Sequence, residues 1–517
     1  MHEPGDPVSR RVVLKSAVVS GAGLLADSAF VGNQPAIAES AGSEVVLSNE
    51  EWFAKRAWSV SANRVVANAD GIQPPLTSLA NRIHEPSSAD EIAEIVKSLP
   101  VTTPIACVCG GHESSNVALI ASGEAVILDL IRLKSIEFGR LNDENVVTVG
   151  AGVVFRELVE AVKDQGGALP VGTGPGVGVT GYVTNGGLSS YFSRRLGLLG
   201  QRVVQMTVVT AAGEIRVLTP DDELFVCMLG AGSALAIVVD LTLRLAEASA
   251  IRGAEQRVFT FASLEQAVRF SRGATSFMRD EVIPNESVSL EVVVTGSNAL
   301  VATTVFYDTF DGDPADFVRP LEELATSIQL PLVAQAHWGS WYEAAAALWP
   351  VIAEQRGAPL ATLYHCVGTV GAPSDEILDF VCNTVVGEAP LEEAALSIIE
   401  IRTLGGAAQK GTRVPSGNCH HAFFVDLVTL YDAQGKSNAE RREIVDRTNQ
   451  IVDKARGFAG LGVDFSGTHS QPDDPNRSVV AEEVFGSLEM AGRVKTMKKS
   501  VDPSNRLRFH PFAKFLQ

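Results

Sequence analysis

Two glycine-rich stretches about sixty residues apart constrain this chain more than any other feature: Cys109-Gly110-Gly111-His112 and Gly172-Thr173-Gly174-Pro175-Gly176-Val177-Gly178. Short β-type runs lie between them, Ala125-Val126-Ile127-Leu128-Asp129-Leu130 and Val146-Val147-Thr148-Val149-Gly150-Ala151-Gly152. Glycines at this density let backbone N–H groups crowd an anion without Cβ interference, as a dinucleotide pyrophosphate requires. His112, at the tip of the first loop, is the side chain there with chemistry of its own.

A decoy overlaps the second stretch. Gly176-Val177-Gly178-Val179-Thr180-Gly181 satisfies the nicotinamide-dinucleotide pattern literally. That reading also needs a preceding strand, an immediate helix and an acidic residue about twenty positions on. Tyr182-Val183-Thr184-Asn185-Gly186-Gly187 is glycine-rich and β-branched, a poor helix start, and no Asp or Glu lies between Gln165 and Glu214. The paired-loop reading is preferred.

Further motifs follow in a fixed order: Leu128-Asp129-Leu130, Val149-Gly150-Ala151-Gly152, Leu196-Gly197-Leu198-Leu199-Gly200-Gln201-Arg202-Val203-Val204 and Asp502-Pro503-Ser504-Asn505-Arg506-Leu507. With Val108-Cys109-Gly110-Gly111-His112-Glu113 ahead of them, the chain resembles the FAD-linked oxidoreductases of the vanillyl-alcohol-oxidase and p-cresol-methylhydroxylase type. The berberine-bridge-enzyme-like branch is the nearest match. The resemblance spans residues 83–245 and returns at 501–508. It implies an α+β, two-domain fold in which a split FAD-binding domain carries an inserted antiparallel-sheet substrate domain. The expected boundaries are a signal segment at 1–38, the FAD-binding domain at 39–250, the substrate domain at 251–474 and a C-terminal return at 475–517.

By position the resemblance implies a bond from the His112 imidazole to the flavin 8α carbon. It places FAD contacts at Gly110, Gly111, Gly172, Gly174, Val177, Gly178, Tyr182, Gly187, Gly197, Val238 and Asn505. Three departures matter. Gly174 stands where bicovalent members carry cysteine, so only the histidyl bond is expected. Tyr182 replaces a histidine that contacts the isoalloxazine edge. Met490-Ala491 replaces an Asn-Tyr pair whose tyrosine can serve as catalytic base.

Other residues must then take the substrate proton. Glu400 and Arg402 share one face of an expected strand, with Ile399 and Ile401 on the other. His420 and His421 lead into another strand, so one of them should face inward; Tyr364 and His365 pose the same choice. Trp338 and Trp341 are candidates to wall a pocket. Glu400, Tyr364 and His421 are the candidate bases.

Composition narrows the partners. With 42 basic and 61 acidic residues the formal charge is −19, which repels nucleic acid and anionic membranes. Ser9-Arg10-Arg11-Val12-Val13-Leu14-Lys15, an apolar run and Ala36-Ile37-Ala38 read as a twin-arginine export signal, so the expected location is outside the cytoplasm. The six cysteines, and the groups Cys107/Cys109/His112 and Cys419/His420/His421, lack paired metal-ligand spacing, so no metal is expected. The expectation is an oxidase that passes electrons from an alcohol or amine carbon of a small molecule to O2. A dehydrogenase with another acceptor, and an exported flavin-bearing drug-binding or resistance protein, are the alternatives.

Overall fold

The structure, a computed structural model, describes residues 48–49, 51–52, 80, 82–112, 118, 124–296, 299–308, 313–347, 349, 360–388, 396–410, 414–417, 420–432, 437–458, 461–464, 481–510 and 512–516. The expected export signal lies outside them. No helix among the described residues is long and apolar enough to cross a membrane.

The first lobe is built on two sheets. β1 (Arg82–His84), β2 (Ile105–Val108) and β3 (Val126–Asp129) are parallel, in the order β1-β3-β2. Helix α1 (Ala89–Ser98) connects β1 to β2. Its N-cap is Ser88, whose hydroxyl accepts from Glu91 N, as the sequence spacing predicts. Ile92, Ala93 and Val96 form its buried stripe.

The second sheet is antiparallel. It contains β4 (Ile136–Leu141), β5 (Glu144–Gly150), β7 (Val203–Thr210), β8 (Ile215–Leu218) and β9 (Ala236–Arg244), in the order β4-β5-β9-β7-β8. The short β6 (Gly167–Ala168) pairs with β10 (Ala246–Glu247). Helices α2 (Phe155–Lys163), α3 (Val179–Val183), α4 (Ser193–Leu196) and α5 (Glu223–Ala231) complete the lobe.

The second lobe is one eight-stranded sheet. Its strands are β11 (Gly253–Thr260), β12 (Val288–Thr295), β13 (Leu300–Tyr307), β14 (Leu332–Trp338), β15 (Leu360–Thr369), β16 (Leu396–Thr403), β17 (Phe423–Asp432) and β18 (Leu461–Asp464). The order is β14-β11-β13-β12-β16-β17-β15-β18, and every pairing is antiparallel. Helices α6 (Leu264–Phe277) and α7 (Ala315–Ser327) pack against it. Further helices are α8 (Trp341–Ala346), α9 (Asn438–Ala455) and α10 (Leu488–Val501), with short helices at Asp375–Phe380 and Ala481–Phe485.

After the second lobe the chain returns to the first. Arg493 on α10 pairs with Glu223 on α5 at 2.8 Å. The Lys498 ammonium is buried, donating to Ala234 O, Leu507 O and the Asp502 carboxylate. Arg506 donates to Thr103 O, Ala211 O and Val96 O, clamping α1 and the β7–β8 turn. Charge-assisted bonds of this kind stabilise by about 1.5–3 kcal/mol each.

Arg194 on α4 ties the lobes together. Its guanidinium donates to the carbonyls of Val282, Ile283, Asn285, Val288 and Leu404, all in the second lobe. Arg195 beside it pairs with Asp308 at 2.6 Å.

Two local expectations are corrected. A helix does start directly after Gly178, which is its N-cap, because Val183 and Val179 gain full burial there. It lasts five residues and follows no parallel strand, so the dinucleotide-type βα unit is still not formed. Cys107 and Cys109, whose spacing of two reads as one face of a single strand, do not share it: Cys109 lies beyond the end of β2. None of the five described cysteines forms a disulfide among the described residues.

Candidate functional site

The two glycine loops meet backbone to backbone. A Cβ built on Gly178 would stand 2.5 Å from Gly110 N, and one on Gly110 would collide with Gly178 N in turn. No larger residue allows that approach. The crossing brings His112 to the second loop, where its Nε2 lies 3.5 Å from the position of a Cβ on Gly174. Val177 packs over the same point. Gly172 rests on Phe155 and on Tyr182, whose rings meet edge to face at 4.8 Å.

Several polar atoms around this crossing are buried and lack hydrogen-bond partners among the described residues: Tyr182 Oη, Thr180 Oγ1 and Asn185 Oδ1. Such atoms are costly unless a bound group satisfies them. Burial pushes the Tyr182 phenol far up, so it is a donor. Gly187 takes a positive φ of 75° and its carbonyl accepts from Leu199 N, setting the α3–α4 connection close to the Gly197 turn. Val238 is buried in β9, a strand that packs on α3. A glycine-walled crossing, a histidine at its rim and unpaired donors and acceptors fit a flavin dinucleotide.

Asn505 is placed differently. Its neighbour Arg506 accepts through its carbonyl from Ile105 N, at the start of β2, whereas the His112 loop follows the end of that strand. About 10 Å of strand separates them. Asn505 Oδ1 is buried there and has no hydrogen-bond partner among the described residues.

The polar face of the large sheet reaches this region through Arg402, which acts on the Tyr182 phenol and bonds to Ser190. Register puts Gln256, Thr304, Glu291 and Arg402 in one cross-strand row, and Glu400, Asp426 and Cys366 in the next. Directly opposed residues share a face. The alternate positions Val292, Val294, Ile399, Ile401, Val425 and Leu427 are all buried on the other side. Glu400 and Arg402 thus share a face, as the alternation predicts.

Arg402 organises this surface. It pairs with Glu400 at 2.8 Å, with Asp426, and with the hydroxyl of Ser190 from the first lobe. Cys366 Sγ donates to Asp426 at 2.7 Å. Tyr191, next to Ser190, stacks on Phe306 at 4.5 Å. The segment from Tyr182 to Tyr191 is thereby held against the charged face. Burial, and then repulsion from Glu400, raises the Glu291 carboxyl to about 8.

His421 is buried and His420 exposed, so the inward choice falls on His421. Its ring packs on Gly368 and lies 6.0 Å from Phe424, whose other neighbour is the Arg402 guanidinium. Burial and the adjacent His420 lower His421 to about 4, keeping the ring neutral. Tyr364 lies in β15 opposite Val428, but its side chain, like that of His365, falls outside the described residues, as does Cys419. Trp341 is buried, donating to Leu169 O. Trp338 is on the edge strand β14, in the row of Ala254 and Phe306. Met490 and Ala491 occupy the first turn of α10 and supply no hydroxyl.

Glu291, Asp426, Ser190 and Tyr191 were missed in the sequence. Glu291 and Asp426 carried a usable signal, each being the only charge in an apolar strand run, Val288–Thr295 and Phe423–Val428. Ser190 and Tyr191 carried none.

Residues 80–219 match the FAD binding domain family. An FAD-linked oxidoreductase of Gibberella zeae is 28% identical over 203 residues, covering 38% of this chain and 36% of that protein. A berberine bridge enzyme-like protein of Arabidopsis thaliana is 27% identical over 169 residues, covering 32% and 31%. The match spans about a third of the length of these curated relatives.

The carbohydrate oxidase of Microdochium nivale superposes with a TM-score of 0.69 at 18% identity, over 96% of this chain and 98% of that one. Glucooligosaccharide oxidase of Acremonium strictum, whose FAD is 6-S-cysteinyl and 8α-N1-histidyl, gives 0.67 at 17% identity, over 86% and 92%. The chain carries an FAD-binding domain, and its fold is that of these oxidases.

Proposed function

We propose that the protein is an FAD-linked oxidase that oxidises a hydroxyl-bearing small molecule, such as a sugar or secondary metabolite, held between the two lobes. O2 is the electron acceptor and H2O2 the product. The observation that carries this reading is the Glu291–Glu400–Arg402–Asp426 face, held by Ser190 and Tyr191 against the lobe that bears the His112 crossing. The oxidase names among the structural neighbours support it.

FAD, when bound, supplies two-electron acceptance from a C–H bond and delivery of those electrons to O2. The protein's residues do the rest. His112 would tether the cofactor, and the Gly110–Gly178 contact would keep the two loops closed around it. Glu400, fixed by Arg402, accepts the proton of the substrate hydroxyl. Tyr182 offers a hydrogen bond from its unpaired hydroxyl, and the Tyr191–Phe306 stack excludes water from one wall. Export through the twin-arginine route, after folding with FAD, belongs to the same proposal and makes a covalent tether useful where no free flavin is supplied.

The test is a metabolite screen on the purified yellow protein under argon, following flavin bleaching, then reoxidation with and without O2. Bleaching by a hydroxylated compound, with O2-dependent recovery and peroxide release, is expected. Recovery at a rate independent of O2 would remove the oxidase assignment. Tight metabolite binding without turnover would favour the drug-binding alternative, which the missing hydroxyl at Met490-Ala491 keeps specific.

A further inference from the structure

The polar face carries more acid than base. Arg402 is shared by Glu400 and Asp426, so its charge is already balanced by two carboxylates. Glu291, directly across from Arg402 in the ladder and only 5% exposed, has no hydrogen bond or ion pair among the described residues. An unpaired carboxyl in such a place is costly unless a proton or a ligand neutralises it.

Its surroundings are those of an ammonium site. Gln256 and Thr304 share its row, bonded to each other at 3.0 Å. The Tyr191–Phe306 stack stands in the adjoining row, and Tyr191 is electrostatically coupled to Glu291. A carboxylate beside aromatic faces binds substituted ammonium groups by charge and by the ring quadrupole. The net charge of −19 draws cations toward the cleft.

We propose that Glu291, with the Tyr191–Phe306 stack, is a specificity site for a protonated amine carried by the substrate beside the hydroxyl that is oxidised. This rests on the proposed oxidation of a hydroxyl-bearing small molecule. It narrows the substrate class to amino sugars or amine-bearing metabolites. The groups facing Glu291 are Glu400 and Arg402 from β16 and Tyr191 from the first lobe, with Asp426 of β17 beyond them, opposite Glu400. The neutral acid that Glu291 is near neutrality gives up its proton when the ammonium arrives, so binding releases one proton.

The test titrates two isosteric pairs into the flavin-loaded protein and follows the flavin spectrum: the free-amine glucosamine disaccharide against cellobiose, and phenethylamine against 2-phenylethanol. Wild type is expected to bind at least one ammonium member ten-fold or more tighter than its hydroxyl partner. Glu291→Gln should abolish that preference while Glu291→Asp keeps part of it, and flavin content should be unchanged in both. Titration in two buffers of different ionisation heat should show proton release in wild type and none in Glu291→Gln.

Equal binding within both pairs, rejection of both amines, no binding by any compound, or a preference that survives in Glu291→Gln would overturn the proposal. If cellobiose bleaches the flavin and neither pair shows a preference, the amine site fails and the oxidase reading stands. If the aryl pair shows the preference and neither disaccharide binds, the amine site stands and the sugar reading fails.

Discussion

Replacing Glu291 by Gln should remove a large share of the protein's alkaline sensitivity. The carboxyl titrates near 4.5 in an unfolded chain and at about 8 in the fold, where burial and Glu400 hold it protonated. Between these values the native state keeps a proton that the unfolded chain has released. Stability from this residue is therefore present in full below pH 4.5 and is lost as pH rises toward 8.

Each pH unit across that window costs about 1.4 kcal/mol. Relative to acid, wild type should have lost about 3 kcal/mol at pH 7 and about 4 kcal/mol at pH 8, approaching about 5 kcal/mol above it. Glutamine keeps the shape and does not titrate. The variant-minus-wild-type difference should thus climb from its acid baseline between pH 5 and pH 8 and then level off. Guanidinium midpoints followed by tryptophan fluorescence at unit pH steps would show it. Parallel curves across that range would mean that Glu291 is ionised in the fold and that the charge count on the polar face is wrong.

Other expectations are simpler to check. His112→Ala should move yellow colour from the acid precipitate to the supernatant; colour that stays with the polypeptide would place the covalent link elsewhere. Gly178→Ala puts a methyl against Gly110 N and should cost about 1–3 kcal/mol along with FAD retention, read by melting temperature and flavin content. Gly181→Ala, three residues on with nothing within 4 Å of its Cβ position, should leave both intact or slightly improved. Arg194→Lys cannot reach all five carbonyls of the inter-lobe tie, and the unpaired acceptors should lower stability by about 3 kcal/mol, seen as a lower midpoint for both lobes.

Much of the first lobe was legible because its signals are local. Ser88 and Glu91 mark a helix start within four residues, and Ala211-Ala212-Gly213-Glu214 marks the β7–β8 turn that forms. The alternation Ile399-Glu400-Ile401-Arg402 put both charges on one face, as observed. The α3 helix was misjudged because β-branched residues disfavour a helix in isolation, while burial of Val179 and Val183 overrides that preference.

What the chain determined by itself was where backbone can come close and where it must alternate. The glycines at 110 and 178 permit a contact that any Cβ forbids, and single charges in apolar strands reserve one sheet face for polar work. Only the tertiary structure decided which residues meet. Glu291 and Arg402 are more than a hundred positions apart, and Ser190 comes to Arg402 from the other lobe. Strand order and lobe docking are long-range choices, made by burying the core and pairing charge across it. No spacing along the sequence encodes them.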